Sequence, residues 1–169
     1  MTAQHSSNQA KCIDSIQIQK ADISDLEAIL LLQKRCYREN AERYDDFQIQ
    51  PLMQTLEDVQ KEFIKATVLK AVDGESVVGS IRGFAENETG HICKVIVHPD
   101  YQNRGIGSRL VTAMESCFQN AERFELFTGF RDEKNLYLYQ KLGYRKFKKK
   151  NSGKMVFIYL EKRKEVPDA

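Results

Sequence analysis

The chain has 169 residues, 41% of them hydrophobic, which suits one domain with a single core of ordinary size. Its 26 basic and 24 acidic residues leave a net charge of +2, so there is no chain-wide field of the kind that marks a dedicated nucleic-acid binder, and any anion binding must be local. The first eleven residues, MTAQHSSNQAK, lack the apolar run of a signal peptide, and no apolar stretch approaches the roughly 20 residues that span a bilayer. These features predict a cytoplasmic protein with no membrane partner.

Residues 13–20, IDSIQIQK, alternate apolar and polar and read as a strand with Ile16 and Ile18 on one face. Ser24 and Glu27 suggest a capping box for a helix that turns Leu26, Ile29, Leu30 and Cys36 inward. A polar, acidic connection over about 39–54 follows, and Thr55 with Asp58 predicts a second cap, for a helix burying Leu56, Val59 and Phe63. From residue 66 the pattern turns to strands: ATVLKAV, SVVGSIRGFAE and HICKVIVHP, separated by short turns, form an antiparallel meander. A helix over about 104–120, the strand RFELFTGF, the helix EKNLYLYQKL ended by Gly143, and a hairpin of YRKFKKK and KMVFIYLEK turning at NSGK complete the order. The right-handed strand–helix–strand crossover sets HICKVIVHP and RFELFTGF side by side and parallel. Residues 1–12 read as a flexible polar N-terminus, 13–162 as a single domain and 163–169 as a flexible tail. Cys12, Cys36, Cys93 and Cys117 have no CxxC spacing and no nearby His pair, so free, mostly buried thiols and no metal site are expected.

The stretch VHPDYQNRGIGSRLV, residues 97–111, runs from a strand through Gly105 and Gly107 into a helix. Free backbone N–H groups and the positive end of a helix dipole collect an anion there, and glycine permits its close approach. The dinucleotide fingerprint fails because Leu110 stands where its third glycine belongs, and the phosphate loop of nucleotide hydrolases fails because Ser108 and Arg109 follow Gly107.

The pattern that matches is Gln102-x-x-Gly105-x-Gly107, and with NLYLYQKLGY at 135–144 the chain resembles the GNAT superfamily of acyl-CoA-dependent N-acyltransferases. PLMQTLED, ELFTGF and VFIYLEK look like a small bacterial-type subgroup whose acceptors are mostly not established. The resemblance implies an α+β fold: a mostly antiparallel sheet of about seven strands, a parallel pair splayed at its centre, and about four flanking helices. It implies acetyl-CoA as cosubstrate, with the pantetheine arm paired to backbone groups of Ile96 and Val97 and the pyrophosphate on the loop of Gln102, Asn103, Arg104, Gly105, Ile106, Gly107 and Ser108. Arg104 and Arg109 would add charge near the phosphates, and Asn135 is a candidate CoA partner, although many members carry that asparagine one turn earlier, where Asp132 stands.

By the same resemblance Tyr139 protonates the departing thiolate, the alternative being a core aromatic in register with Leu136 and Leu142. The general base is not evident: the strand reads His91, Ile92, Cys93, Lys94, with no carboxylate, His91 reads as a solvated turn residue and His98 as structural. Glu125 and Thr128 are expected to line the acceptor, and Glu39, Glu42, Asp45 and Asp46 either attract a cationic amine or form a solvated face. Cys93 reads as a small buried hydrophobe. The lysines of RKFKKK read as protection of a sheet edge, so no nucleic-acid partner is expected. The resemblance implies a primary amine of a small molecule or peptide as acceptor, a homodimer is left open, and the rival reading is a CoA-binding module that senses the cofactor without turnover.

Overall fold

The computed structural model describes residues 15–165. The expected N-terminal segment, Cys12, the first two residues of the predicted opening strand and the last residues of the predicted tail lie outside that range. Seven strands form one sheet: β1 (Ile16–Lys20), β2 (Thr67–Asp73), β3 (Ser76–Glu86), β4 (Thr89–Val97), β5 (Arg123–Gly129), β6 (Arg145–Ser152) and β7 (Met155–Arg163). Their spatial order is β1-β2-β3-β4-β5-β7-β6, and every neighbouring pair is antiparallel except β4 and β5. Five helices flank it: α1 (Leu26–Tyr44), the single turn α2 (Gln50–Met53), α3 (Leu56–Lys65), α4 (Ile106–Cys117) and α5 (Glu133–Lys141). The α+β architecture expected from the sequence is the one observed. None of the described helices is long and apolar enough to cross a membrane.

Alternation along the strands explains the layering. On β2, Val68 packs with Leu26, Ile29, Leu30 and Val59 of α1 and α3, while its neighbours Leu69 and Ala71 join Ile106, Leu110 and Met114 of α4 and Tyr139 of α5. The sheet is therefore covered on both faces, which is why its inner strands read as nearly continuous apolar runs.

Two helix boundaries differ from the sequence reading. Asp22, not Ser24, caps the entry to α1: its carboxylate accepts from Ser24 N at 2.8 Å, while Asp25 accepts from Asp22 N at 2.8 Å. Helix α1 also continues into the segment expected to be a loop, as far as Tyr44, because Arg38–Glu42 and Glu39–Arg43 pair along its outer face while Ala41 and Tyr44 are buried on the inner one. The Thr55–Asp58 box at α3 forms as expected. Strand β7 reaches Arg163, and Lys164 N donates to Glu122 O at 2.9 Å, so residue 163, where a tail was expected to start, still belongs to the sheet.

The centre of the sheet holds a β-bulge. Ser80 opposes Ile96 and Arg82 opposes Cys93, so Lys94 and Val95 together face one residue of β3, and Lys94 takes φ = 51°. A left-handed lysine costs about 1–2 kcal/mol, which something must offset. Lys94 Nζ donates to both oxygens of Glu62 at 3.0 Å and to Gln54 Oε1 at 2.8 Å. The buried Arg82 pairs with Glu62 and donates to Gln33 Oε1 at 2.7 Å, and Gln33 donates to Gln54 Oε1 at 2.8 Å. Five side chains from α1, the α2–α3 junction, α3, β3 and β4 thus satisfy one another.

Two cations share Glu62, and they hold its carboxyl below the usual carboxylate range despite the opposing cost of burial. Glu62→Gln is expected to lower unfolding free energy by about 2–3 kcal/mol, somewhat less than for a fully buried pair because the carboxylate keeps contact with solvent. A depressed folded pKa stabilises above the unfolded value and is lost as pH falls through the folded one. In urea titrations the gap between wild type and variant should therefore hold steady from neutrality to about pH 5 and shrink below about pH 4.

Candidate active site

Pairing between β4 and β5 stops after three positions, Thr89↔Arg123, Gly90↔Phe124 and His91↔Glu125. Beyond His91 the strands part, and the edge of β4 from Ile92 onward has no strand partner. A cleft of about 990 Å³ opens there, bounded by α1, β4, β5, α5 and the loop before α4.

That loop is built for close approach. Asn103 (φ = 60°) and Gly105 (φ = 77°) are left-handed, and Gly105 caps α4 without a side-chain hydrogen bond. Backbone N–H groups of residues 103–108 find no acceptor among the described residues. Together with the helix dipole they form an anion-binding concavity. A Cβ on Gly105 would meet nothing within 4 Å, so the space beside it is open; a Cβ on Gly107 would come within 3.2 Å of Leu138, so this glycine serves the approach of α5 to α4. Gln102 Nε2 donates to Val97 O at 3.0 Å and ties the loop to the end of β4.

Of the residues singled out from the sequence, Ile96, Val97, Gln102, Asn103, Gly105, Ile106, Gly107, Ser108, Thr128, Asn135 and Tyr139 line this cleft. Val97 O is already engaged by Gln102 and by Cys36 Sγ at 3.4 Å, which leaves the free edge of β4 to Ile96 and the residues before it. Arg104 lies outside the cleft, with its guanidinium 5.4 Å from the Tyr101 ring, and Arg109 points away from the loop to donate to Ile16 O at 2.7 Å. Glu125 is also outside: it pairs with Arg123 at 2.6 Å, on the stretch of β5 still joined to β4. Position along the strand is the reason: Phe127, on the same side of β5 as Glu125, lines the cleft, whereas residue 125 stands where β5 is still paired with β4. His91 stacks on Phe84 at 4.8 Å, and His98 Nδ1 accepts from Asp100 N at 3.1 Å.

Tyr139 is 3% exposed. The buried Tyr44 and Tyr144 have hydroxyl partners, Arg131 N at 2.9 Å and Glu115 at 2.8 Å, whereas the Tyr139 hydroxyl makes no hydrogen bond among the described residues. No enclosed side-chain polar atom among those residues lacks a partner, so this hydroxyl opens onto the cleft. Burial, and after it the proximity of Tyr37, Asp132 and Cys93, pushes its pKa far above that of an ordinary phenol. It stays protonated throughout the neutral range.

Asp132 organises the junction of β5 and α5. It caps α5 by accepting from Asn135 N at 3.3 Å, and it accepts from Asn135 Nδ2 at 2.8 Å and Thr128 Oγ1 at 3.2 Å. Arg43 approaches it to 3.8 Å from α1. Thr128 is therefore committed to a carboxylate. Among the acidic residues of 39–46, Glu39 and Asp46 line the cleft, Glu39 with Arg43 at 3.5 Å and Asp46 accepting from Gln48 N at 3.0 Å, while the exposed Glu42 approaches Arg38 at 3.7 Å.

Tyr37, Asn40 and Tyr44 of α1 also line the cleft and were not singled out from the sequence. Their i, i+3, i+7 spacing was the available signal, hidden by the expectation that the helix ended earlier. Tyr44 lies so close to β5 that a Cβ on Gly129 would collide with its hydroxyl.

The chain belongs to the acetyltransferase (GNAT) family, whose model matches residues 26–144. No curated protein matches it significantly by sequence. Its structure is similar to that of PaiA N-acetyltransferase from Thermoplasma acidophilum, solved in complex with coenzyme A, with 17% identity, 89% of this chain and 99% of that one covered, and a TM-score of 0.75. It is similar also to YncA from Salmonella typhimurium, solved with its cofactor acetyl-CoA, with 16% identity, coverage of 92% and 99%, and a TM-score of 0.68. A ribosomal-protein-alanine N-acetyltransferase from Brucella melitensis gives 17%, 87% and 99%, and 0.69. At such identities the likeness is one of fold.

The three described cysteines are free, but the expectation of mostly buried thiols holds only in part: Cys36 and Cys93 are half-buried and Cys117 is exposed. Burial pushes the Cys36 thiol up to about 11 and raises Cys93 as well. Native labelling with iodoacetamide near pH 7.5, read by peptide mass mapping, should modify Cys117 well before Cys36 or Cys93, because the thiolate is the reactive form.

Proposed function

We propose that the protein is an acetyl-CoA-dependent N-acetyltransferase in which Tyr139 is the general acid. The observation that carries this reading is the meeting, in one cleft, of three unsatisfied groups: the unpaired edge of β4, the free amides of 103–108 and the unpartnered Tyr139 hydroxyl. The relatives solved with coenzyme A and acetyl-CoA support the choice of ligand. The pyrophosphate suits the amides of Asn103 to Ser108, the pantetheine arm suits the edge of β4 ending at Ile96, and Asn135, oriented by Asp132, is a further partner.

Bound acetyl-CoA supplies an acyl group activated as a thioester. The N–H groups on the free edge of β4 polarise the carbonyl. As the amine nitrogen forms its bond to the acyl carbon, the carbon–sulfur bond breaks, Tyr139 O–H donates its proton to the sulfur, and the proton shed by the acylated nitrogen restores the phenol through solvent. Its raised pKa keeps that proton available. No carboxylate stands on β4, and Asp132 is engaged by Thr128, Asn135 and Arg43, so the amine's proton passes to solvent or to Glu39 and Asp46 where they line the cleft. At pH 7 that costs about 5 kcal/mol for a lysine-like amine of pKa ~10.4 and only about 1 kcal/mol for an α-amine of pKa ~7.8. Acceptors with α-amino groups are therefore favoured.

Thiol release from acetyl-CoA over a panel of amines tests the reading; coenzyme A binding with no turnover on any amine would replace it with a sensing module. Tyr139→Phe should lower kcat by roughly 10²–10⁴ with the KM for acetyl-CoA little changed. A core tyrosine would instead lose about 1 kcal/mol of stability and keep its rate per folded molecule. Gly105→Asn keeps a residue tolerant of positive φ but fills the open space beside the loop. It should raise the KM for acetyl-CoA about tenfold or more with little change in Tm, whereas an unaltered KM would put the phosphates elsewhere.

A further inference from the structure

Strand β6 forms one edge of the sheet, and all 8 of its residues are exposed. Five of them are cations: Arg145, Lys146, Lys148, Lys149 and Lys150. Elsewhere among the described residues Lys61, Lys70, Lys94 and Lys162 pair with carboxylates, Lys70 with Asp25 at 2.7 Å and Lys162 with Glu115 at 3.0 Å, and the unpaired lysines do not form a run of this density. On β6 none does among the described residues: Glu161 of the adjacent β7 and Glu125 of β5 beyond it are both taken by Arg123. One or two lysines suffice to blunt an edge against pairing; five unneutralised cations exceed that need.

The register connects this strand to the cleft. Lys148 lies opposite Tyr159 and Lys150 opposite Phe157, and across β7 these aromatics face Phe127 and Gly129 of β5. Phe127, 45% exposed, stacks on Tyr159 at 5.1 Å and meets Phe157 edge-on at 5.3 Å. Lys150, Phe157, Tyr159 and Phe127 all line the cleft that holds Tyr139. The cationic strand thus runs into an aromatic floor that leads to the phenol.

We infer that β6 and this floor are the docking surface for an acidic polypeptide, which lies along β6 as an added strand and passes its N-terminal amine over the aromatic floor into the cleft. The free backbone edge supplies main-chain hydrogen bonds, the cations select carboxylate side chains, and the floor takes apolar ones. A second copy of this chain does not fit, since pairing β6 with itself sets one lysine row against another. Nucleic acid lacks the alkyl amine that the cleft consumes. The fate of the amine rests on the acetyltransferase reading; the docking does not.

The test is fluorescence anisotropy at low salt on the full chain. The probes are C-terminally labelled peptides of about a dozen residues with free N-termini, alternating Glu, Ser or Lys with Val, alongside a labelled oligothymidylate. The Glu peptide should bind about tenfold or more tightly than the Ser peptide, weaken as salt rises, and lose that advantage in Lys146→Glu/Lys148→Glu/Lys149→Glu. Should the reversal impair folding by circular dichroism, Lys146→Gln/Lys148→Gln/Lys149→Gln removes the charge with less perturbation, and a smaller loss is expected. Equal binding of the Glu and Ser peptides, tighter binding of the oligothymidylate than of the Glu peptide, or indifference to the substitutions would overturn the inference. Coenzyme A affinity measured on the same samples separates the two proposals: no Glu-peptide preference in the unsubstituted chain with intact coenzyme A binding defeats the docking alone, whereas peptide preference without coenzyme A binding defeats the acetyltransferase reading alone.

Discussion

The geometry of the cleft depends on one backbone irregularity, the bulge that places Lys94 in the left-handed region at the middle of β4. A regular strand there would keep step with β5 and pair along its length, since parallel neighbours with matching apolar faces have every reason to do so. The extra residue bends β4 after His91, where the ladder to β5 ends, and leaves an unpaired edge inside the protein. Unpaired backbone groups in an interior are costly, and a fold keeps them where something is meant to pair with them.

The bulge is held by side chains rather than by backbone preference. Lysine gains nothing intrinsically from positive φ, but Glu62 and Gln54 hold its ammonium group at 3.0 and 2.8 Å, and Arg82 and Gln33 complete the network. This network joins α1, α3, β3 and β4, so the helices covering one face of the sheet are coupled to the strand that shapes the cleft. Helix α1 carries the coupling further: Arg43 approaches Asp132, and Tyr44 accepts from Arg131 N, which brings α1 against the junction that positions Asn135 and Tyr139. Gly129 is what lets it come so close.

Charge is distributed unevenly around the cleft despite a net of only +2. Deep inside, cations are matched: Lys94 and Arg82 share Glu62, and Arg43 meets Asp132. At the outer rim, β6 carries its cations without carboxylates. An interior that is neutralised and a rim that is not suit a cleft that attracts anionic partners over a distance and does its chemistry in a drier environment, where hydrogen-bond donors act more strongly.

The order of strands and helices, the Thr55–Asp58 cap and the glycine loop were legible in the sequence because each rests on local causes: period-2 or period-3.6 alternation, a capping residue three positions from its partner, glycines where φ turns positive. The length of α1 was not, because ENAERY looks like loop until Ala41 and Tyr44 have a sheet to bury against. Glu125 looked like a cleft residue as long as only its strand was known, and the point where β4 and β5 part decided otherwise. Tyr139 illustrates the division: its place on α5 follows from helical spacing and a family pattern, but the lack of a hydrogen-bond partner for its hydroxyl among the described residues is a property of what surrounds it. The network of Gln33, Gln54, Glu62, Arg82 and Lys94 was invisible for the same reason, as its members lie up to 61 positions apart and each alone reads as a surface residue. Local sequence determined which elements form and in what order; only packing decided which polar groups are satisfied, since a hydrogen bond between distant residues depends on both ends arriving at one place.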